Sequence, residues 1–236
     1  MKLAIMQPYL FPNLGYFQLM GAVDKFVVYD DVAFIKRGWI NRNYVLGHEQ
    51  KAKQLFSVPL RDASQFRPIN QTEVDRQGYA VWLRKFFKTV DQIYMRAPGY
   101  TAVRQILESV FAGFEGSIGE LARRSLTDTA QHLGIRTSIV GSSAVYGNSA
   151  LTGKTRVIDI CLTERATEYI NLSGGVGLYT AEDFSARGIE LHFIRSRSMT
   201  YQQFANDFVP GLSIIDVMMF NPPTRIREVL TEFDWF

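Results

Sequence analysis

The sequence predicts an α/β protein: a Rossmann-like, mostly parallel sheet with helices on both faces, and a helical subregion inserted between the two halves of the sheet. Three observations predict it. The chain opens as an apolar strand, a loop punctuated by Pro8, Pro12 and Gly15, a helix, and a second strand ending in Asp30-Asp31. Residues 136–194 then alternate strand and helix patterns as a βαβαβ run, whose right-handed crossovers make its strands parallel and neighbouring. Between these two halves, about residues 74–133 read as helix throughout.

Each element has a local reason. Residues 2–6 are an apolar run that Gln7-Pro8 ends. In 15–23, Leu19, Met20 and Val23 recur at helical spacing beside Phe17. Residues 25–29 are almost continuously apolar, as suits a central strand covered on both faces. A third strand is expected at 54–59, where Phe56 and Val58 alternate with polar neighbours. Residues 78–87 and 101–114 each carry an apolar and a polar helical face. Ser117 and Glu120 form a capping box that opens a further helix, running through His132 to a stop at Gly134. Three successive helices exceed what one crossover needs, so they are expected to pack on the sheet as one subregion of a single domain spanning 1–236.

Strands then follow at 136–141, 168–172 and 189–194, with helices at 155–163 and 181–187, the latter ended by Gly188. The tail reads as two short helices around Phe220-Asn221-Pro222-Pro223, capped by Ser213 and Thr224.

Composition narrows the function classes. Of 236 residues, 47% are hydrophobic and 21% charged, as in soluble globular chains. No apolar stretch reaches the roughly 18 residues of a membrane span. The run Leu3-Ala4-Ile5-Met6 stops too early for a secretory signal, so a cytoplasmic protein is expected. A single cysteine, Cys161, excludes an internal disulfide and a multi-cysteine metal site; at helical apolar spacing it reads as a buried thiol. Three histidines make a histidine-rich zinc site a poor expectation, and no metal ligand set is assigned. A net charge of +3 suits an anionic small molecule, such as a nucleotide or nucleotide sugar, without itself indicating nucleic acid.

The candidate site residues cluster at predicted strand ends. Gln7, Tyr9, Asn13, Gly15 and Tyr16 lie in the loop after the first strand, where open parallel sheets bind ligands. Gly15 at the helix start would let a phosphate approach free backbone amides. Nucleotidylyltransferase-like proteins follow the same strand-loop-helix-strand plan with a catalytic histidine here, which this chain lacks. Asp30 or Asp31 could hold a ribose hydroxyl, a substrate amine or a metal, and sequence does not choose between them. Lys36, Arg37, Asn41 and Arg42 could clamp a diphosphate or carboxylate, with Trp39 as a stacking face. Asp30, Asp31 and Lys36 are the candidate catalytic groups.

Gly153-Lys154-Thr155 resembles the end of a phosphate-binding loop, but Asn148 stands where that motif needs glycine. Lys154 and Arg156 at a helix start, with Ser142 before them, still offer a second anion contact. Ser173, Gly174 and Gly175 follow the next strand and would reach the same sheet edge.

Several of these blocks are specific. Met6-Gln7-Pro8-Tyr9, Gly15-Tyr16-Phe17, Tyr29-Asp30-Asp31-Val32 and the run from Phe34 through Asn43 closely resemble the WbqC-like family. Arg156-Val157-Ile158-Asp159-Ile160, residues 169–175, Leu212-Ser213-Ile214-Ile215-Asp216 and Phe220-Asn221 extend the resemblance over nearly the whole chain. The resemblance implies a place in O-antigen or other surface polysaccharide biosynthesis, where some members have been proposed to move glycine or another acyl group onto an amino sugar. An Asp would then deprotonate or orient the attacking amine while backbone amides at Gly15 stabilise the oxyanion. Two other readings stay open. One is nucleotidyl transfer from a nucleotide such as ATP, with Mg²⁺ at Asp30 or Asp31; the other is a noncatalytic binding subunit. A nucleic-acid acceptor ranks behind them, and the aromatic-rich helical subregion leaves room for a homodimer face.

Overall fold

The computed structural model describes residues 1–48, 52–205 and 207–236. Its eight strands are β1 (Lys2–Met6), β2 (Lys25–Val28), β3 (Arg42–Leu46), β4 (Lys53–Ser57), β5 (Ser138–Val140), β6 (Glu168–Leu172), β7 (Glu190–Ser196) and β8 (Phe233–Trp235). The helices are α1 (Leu14–Gly21), α2 (Arg76–Tyr94), α3 (Tyr100–Phe111), α4 (Ile118–Leu133), α5 (Gly153–Thr163), α6 (Ala181–Ser185), α7 (Ile214–Phe220) and α8 (Pro223–Val229).

Six strands form one sheet in the order β5-β2-β1-β6-β7-β8, parallel except for β8. Counted along the chain, this is the doubly wound order 3-2-1-4-5-6, in which the winding reverses between β1 and β6. The Rossmann-like expectation is met, with one correction. The strand expected at 136–141 does not neighbour the one at 168–172, because β1 and β2 lie between them. The first two strands are the most apolar, with Leu3, Ala4, Phe26, Val27 and Val28 fully buried, and such strands occupy a sheet centre.

Side-chain alternation splits the sheet into two faces. Leu3, Ile5, Val27 and Tyr169 point to one cluster with Val157, Ile160 and Cys161 of α5 and Phe184 of α6. Ala4, Phe26, Val28, Ile170 and Ile194 point to a larger cluster shared with α1, the three-helix subregion, α7 and α8. Cys161 is buried in the first of these clusters, as expected, and burial pushes its thiol up to about 12. A disulfide-exchange reagent such as DTNB should therefore titrate no thiol in the folded protein, and the single cysteine once guanidinium is added.

The helical subregion forms as read. The Ser117 hydroxyl accepts from the Glu120 amide, and Gly134 closes α4 at φ +71°, where a β-carbon would be strained. Ser213 caps α7 by accepting from the Ile215 amide. Thr224 does not cap α8: Pro222 is the cap and Pro223 opens the first turn, since a fixed φ and a missing N–H cost nothing there.

Two strands escaped the sequence reading. β3 begins inside the cationic segment expected to be loop, and it pairs antiparallel with β4 in a separate hairpin, so 54–59 supplies no strand of the main sheet. β8 adds three residues antiparallel to β7.

Loop 7–13 is fixed by side chains from distant elements. Phe11 has φ +43°, costly for a bulky residue. Its amide donates to the Ser125 hydroxyl of α4 at 3.0 Å, and its carbonyl accepts from Asn43 Nδ2 of β3 at 2.8 Å and the Ser213 hydroxyl at 2.6 Å. The hairpin, the helical subregion and the tail all hold the loop after β1.

Candidate functional site at the sheet switch point

A cavity of about 820 Å³ opens beyond the carboxyl ends of β1 and β6, where the winding of the sheet reverses. The loop after β1 contributes Gln7, Tyr9 and Asn13; the start of α1 contributes Gly15 and Tyr16; and Tyr29 stands at the end of β2. Ile35 and Trp39 come from the cationic loop, Gly153 and Lys154 from the start of α5, and Ser173, Gly174, Gly175 and Tyr179 from the segment after β6. Ser196 closes the far side at the end of β7.

Two helix starts meet here. Neither the α1 cap, Asn13, nor the α5 cap, Thr152, makes a side-chain cap bond; at α1 the Tyr16 amide turns back to the Asn13 carbonyl at 3.2 Å, which leaves the Leu14 and Gly15 amides for an anion. Gly15 is glycine for a reason the sequence did not carry: an added β-carbon would lie 2.9 Å from Cβ of Ser196. The helix start abuts β7 directly, and both residues form the cavity wall.

Among the described residues lining the cavity, Lys154 is the one cation and no carboxylate or imidazole is present. Its Nζ lies 2.8 Å from both oxygens of Asp183, and that ammonium holds the Asp183 carboxyl below its usual value. An anion entering the cavity competes with Asp183 for this cation. The phenols of Tyr9 and Tyr29 are raised by burial, so they stay protonated and act as hydrogen-bond donors at neutral pH. The Tyr16 hydroxyl is spent on the Gln7 carbonyl at 2.7 Å.

Asp30 and Asp31 lie behind this wall. Asp30 accepts from the Ser142 hydroxyl at 2.7 Å and the Ser143 amide at 3.2 Å; burial raises its carboxyl, which these bonds only partly offset. Asp31 accepts from the Ser143 hydroxyl and forms a buried ion pair with Arg156. Arg156 also donates to Asn148 at 2.9 Å, and its guanidinium sits 5.1 Å from the centre of the Tyr29 ring. Asp31 and Arg156 brace the end of β2 against α5 and set the Tyr29 ring that faces the cavity, while Asp30 ties the same strand end to the segment after β5. Among the described residues, no group of three or more His, Cys, Asp or Glu side chains is placed to hold a metal ion.

The cationic loop divides. Trp39 lines the cavity, with Arg42 6.0 Å from its ring. Arg42 turns back on its own loop, donating to the carbonyls of Gly38 at 3.0 Å and of Arg37. Asn41 donates to the Val58 carbonyl at 2.9 Å, joining the loop to the chain just after β4. Lys36 and Arg37 are exposed outside the cavity.

Of the expected residues, the structure thus brings Gln7, Tyr9, Asn13, Gly15, Tyr16, Trp39, Lys154, Ser173, Gly174 and Gly175 together. It sets Asp30, Asp31, Lys36, Arg37, Asn41, Arg42, Ser142 and Arg156 around or behind them. Asn43, Asn171, Tyr179 and Ser196 line the cavity without having been expected. Asn171 alone had a local signal, a buried amide directly before the glycine run of 173–177.

The doubly wound sheet, with a cavity at its switch point, defines an α/β protein of the Rossmann-like class. The chain belongs to the WbqC-like protein family, whose family model matches residues 7–228. It is also similar to the uncharacterized protein Rv1507c of Mycobacterium tuberculosis strain ATCC 25618 / H37Rv, 28% identical over 233 residues that cover 97% of each chain. No solved structure gives a significant match. No helix among the described residues is long and apolar enough to cross a membrane.

Proposed function

We propose that this WbqC-like protein is a biosynthetic transferase that binds a phosphate-bearing substrate, such as a nucleotide sugar, at the switch-point cavity. It moves an aminoacyl, notably glycyl, or other acyl group onto an amino-sugar acceptor in surface polysaccharide biosynthesis. The observation that carries the reading is the meeting of two uncapped helix starts with Lys154 beside the aromatic faces of Tyr9, Tyr29 and Trp39. Free amides and the ammonium suit a phosphate, while the rings suit a base or sugar face.

In the transfer, the acceptor amine attacks the donor carbonyl carbon. The new C–N bond forms as the donor's bond from carbonyl carbon to its leaving oxygen breaks, and the amine proton passes to that oxygen. Backbone amides at Gly15 and the protonated phenols of Tyr9 and Tyr29 would hold the oxyanion that develops in between. Asp30, Asp31 and Arg156 act as positioning groups through Tyr29, and Gln7, Asn13, Ser173, Gly174 and Gly175 orient the substrate.

The test is calorimetric binding of UDP and a UDP-linked amino sugar, followed by mass analysis of the sugar after incubation with an activated glycyl donor. Binding and the added mass of one glycyl group are expected. Lys154→Ala should weaken UDP binding about tenfold or more, as loss of one charge-assisted contact would. Pyrophosphate release from ATP without acyl transfer would instead favour the nucleotidyl reading. No binding of either probe would remove the support for both.

A further inference from the structure

The mouth of the cavity is built to sit on something apolar. Ile35 is 50% exposed, Trp39 42% and Leu178 67%, and all three line the cavity from two separate loops. Beside them Phe66 is 90% exposed, on a turn in which the Arg67 amide donates to the Ser64 carbonyl at 3.1 Å. This turn is fixed to the cationic loop. Ala33 pairs antiparallel with Pro68, and the Phe34 amide donates to the Arg67 carbonyl at 3.0 Å. The paired stretch ends there, since the Arg67 amide turns to Ser64, and Phe66 directly precedes the residue bonded to Phe34. Phe34 is buried, so alternation turns its neighbour Ile35 outward, in keeping with its exposure.

Charge chooses the occupant. The segment from Val32 to Arg42 carries exposed Lys36 and Arg37 and no acid, with Arg42 turned onto its own loop; the turn from Ala63 to Pro68 carries Arg67, with Asp62 just before it; and residues 173–179 are uncharged. Exposed aromatic and aliphatic tips interleaved with cations match the boundary of an anionic bilayer, where rings and branched chains enter the headgroup layer and Lys or Arg meets lipid phosphate. A second copy of the chain would set these same cations against each other, which disfavours self-association through this face.

We propose that the Ile35, Trp39 and Phe66 face docks on an anionic lipid surface, with the cavity mouth turned toward it. The protein thereby meets substrates held at the membrane. Vesicle binding is measured without nucleotide, so it stands or falls independently of the proposed transferase activity.

Co-sedimentation with vesicles of phosphatidylcholine alone, and of phosphatidylcholine and phosphatidylglycerol in equal parts, tests this on the full chain. Binding to the anionic vesicles, weakening as salt rises, is expected. Phe66→Ser should lower it about tenfold and Phe66→Trp should retain it, because an indole serves the same interfacial position. The 90% exposure of Phe66 leaves little packing to lose, so unchanged thermal unfolding would accompany the loss. Equal sedimentation of the native and Phe66→Ser proteins, or no preference for anionic vesicles, would overturn the proposal. So would absence of vesicle binding together with a dimer that Phe66→Ser dissociates, which would make a second copy the occupant.

Discussion

Replacing Asp216 with alanine is expected to lower the free energy of unfolding by about 3–5 kcal/mol. The carboxylate is fully buried in α7 and gathers three donors. Tyr94 of α2 donates to Oδ1 at 2.6 Å, while Tyr201 and Gln203 of the chain before α7 donate to Oδ2 at 2.6 and 2.7 Å. Tyr94 cannot turn away cheaply, because its oxygen already accepts the Leu46 amide of β3 at 2.8 Å. The variant strands all three donors and unties the hairpin, the helical subregion and the tail from one another. Chemical denaturation should read it as a lower midpoint.

The same group gives a pH dependence with a definite sign. Burial raises the Asp216 carboxyl above its ordinary value of 3.8, against the opposing hydrogen bonds of Tyr201, Tyr94 and Gln203. A raised folded pKa means the native state holds the proton more tightly than the unfolded chain does. The linked stability is therefore fully present below the unfolded value and is lost as pH rises through the folded one. The stability gap between native protein and Asp216→Ala should be widest in acid and should narrow as pH rises, then level off. A gap that widens with rising pH would contradict the assignment.

Replacing Arg156 with alanine is expected to cost about 3–5 kcal/mol and to weaken ligand binding as well. The substitution leaves the Asp31 carboxylate buried with the Ser143 hydroxyl and no cation, and frees the Tyr29 ring on which the guanidinium rests. The double variant Asp31→Asn with Arg156→Met should recover much of the stability, since no unpaired charge remains. Its ligand affinity should stay low, because Met offers no guanidinium to fix Tyr29. Urea unfolding alongside UDP calorimetry separates the two effects. Recovery of stability and binding together would mean that Tyr29 placement plays no part at the site.

The central strands, the Ser117 and Ser213 caps, the Gly134 stop and the family were legible because each rests on neighbours in sequence. The apolar runs at residues 2–6 and 25–29 are a local property, and so is a hydroxyl three residues before a glutamate. The acids were read less fully. Asp30-Asp31 at a strand end has the same local pattern whether it faces ligand or backs onto a serine and an arginine. That difference is made by Ser142, Ser143 and Arg156, more than a hundred residues away in the chain.

By itself the sequence determined the α/β class, the strand-loop-helix-strand opening, the family, and the position of loop 7–17 at a strand's carboxyl end. Tertiary structure alone decided the strand order 3-2-1-4-5-6, the hairpin beside the cavity, and the choice of Lys154 rather than Lys36 or Arg37 as its cation. The physical reason is range. Helix caps and burial patterns are fixed over three or four residues, whereas a cavity is fixed by which strands become neighbours. That depends on burying Leu3, Val27 and Tyr169 under α5 and α6 while Ala4, Phe26 and Ile170 meet the helical layer, a packing choice the whole chain makes at once.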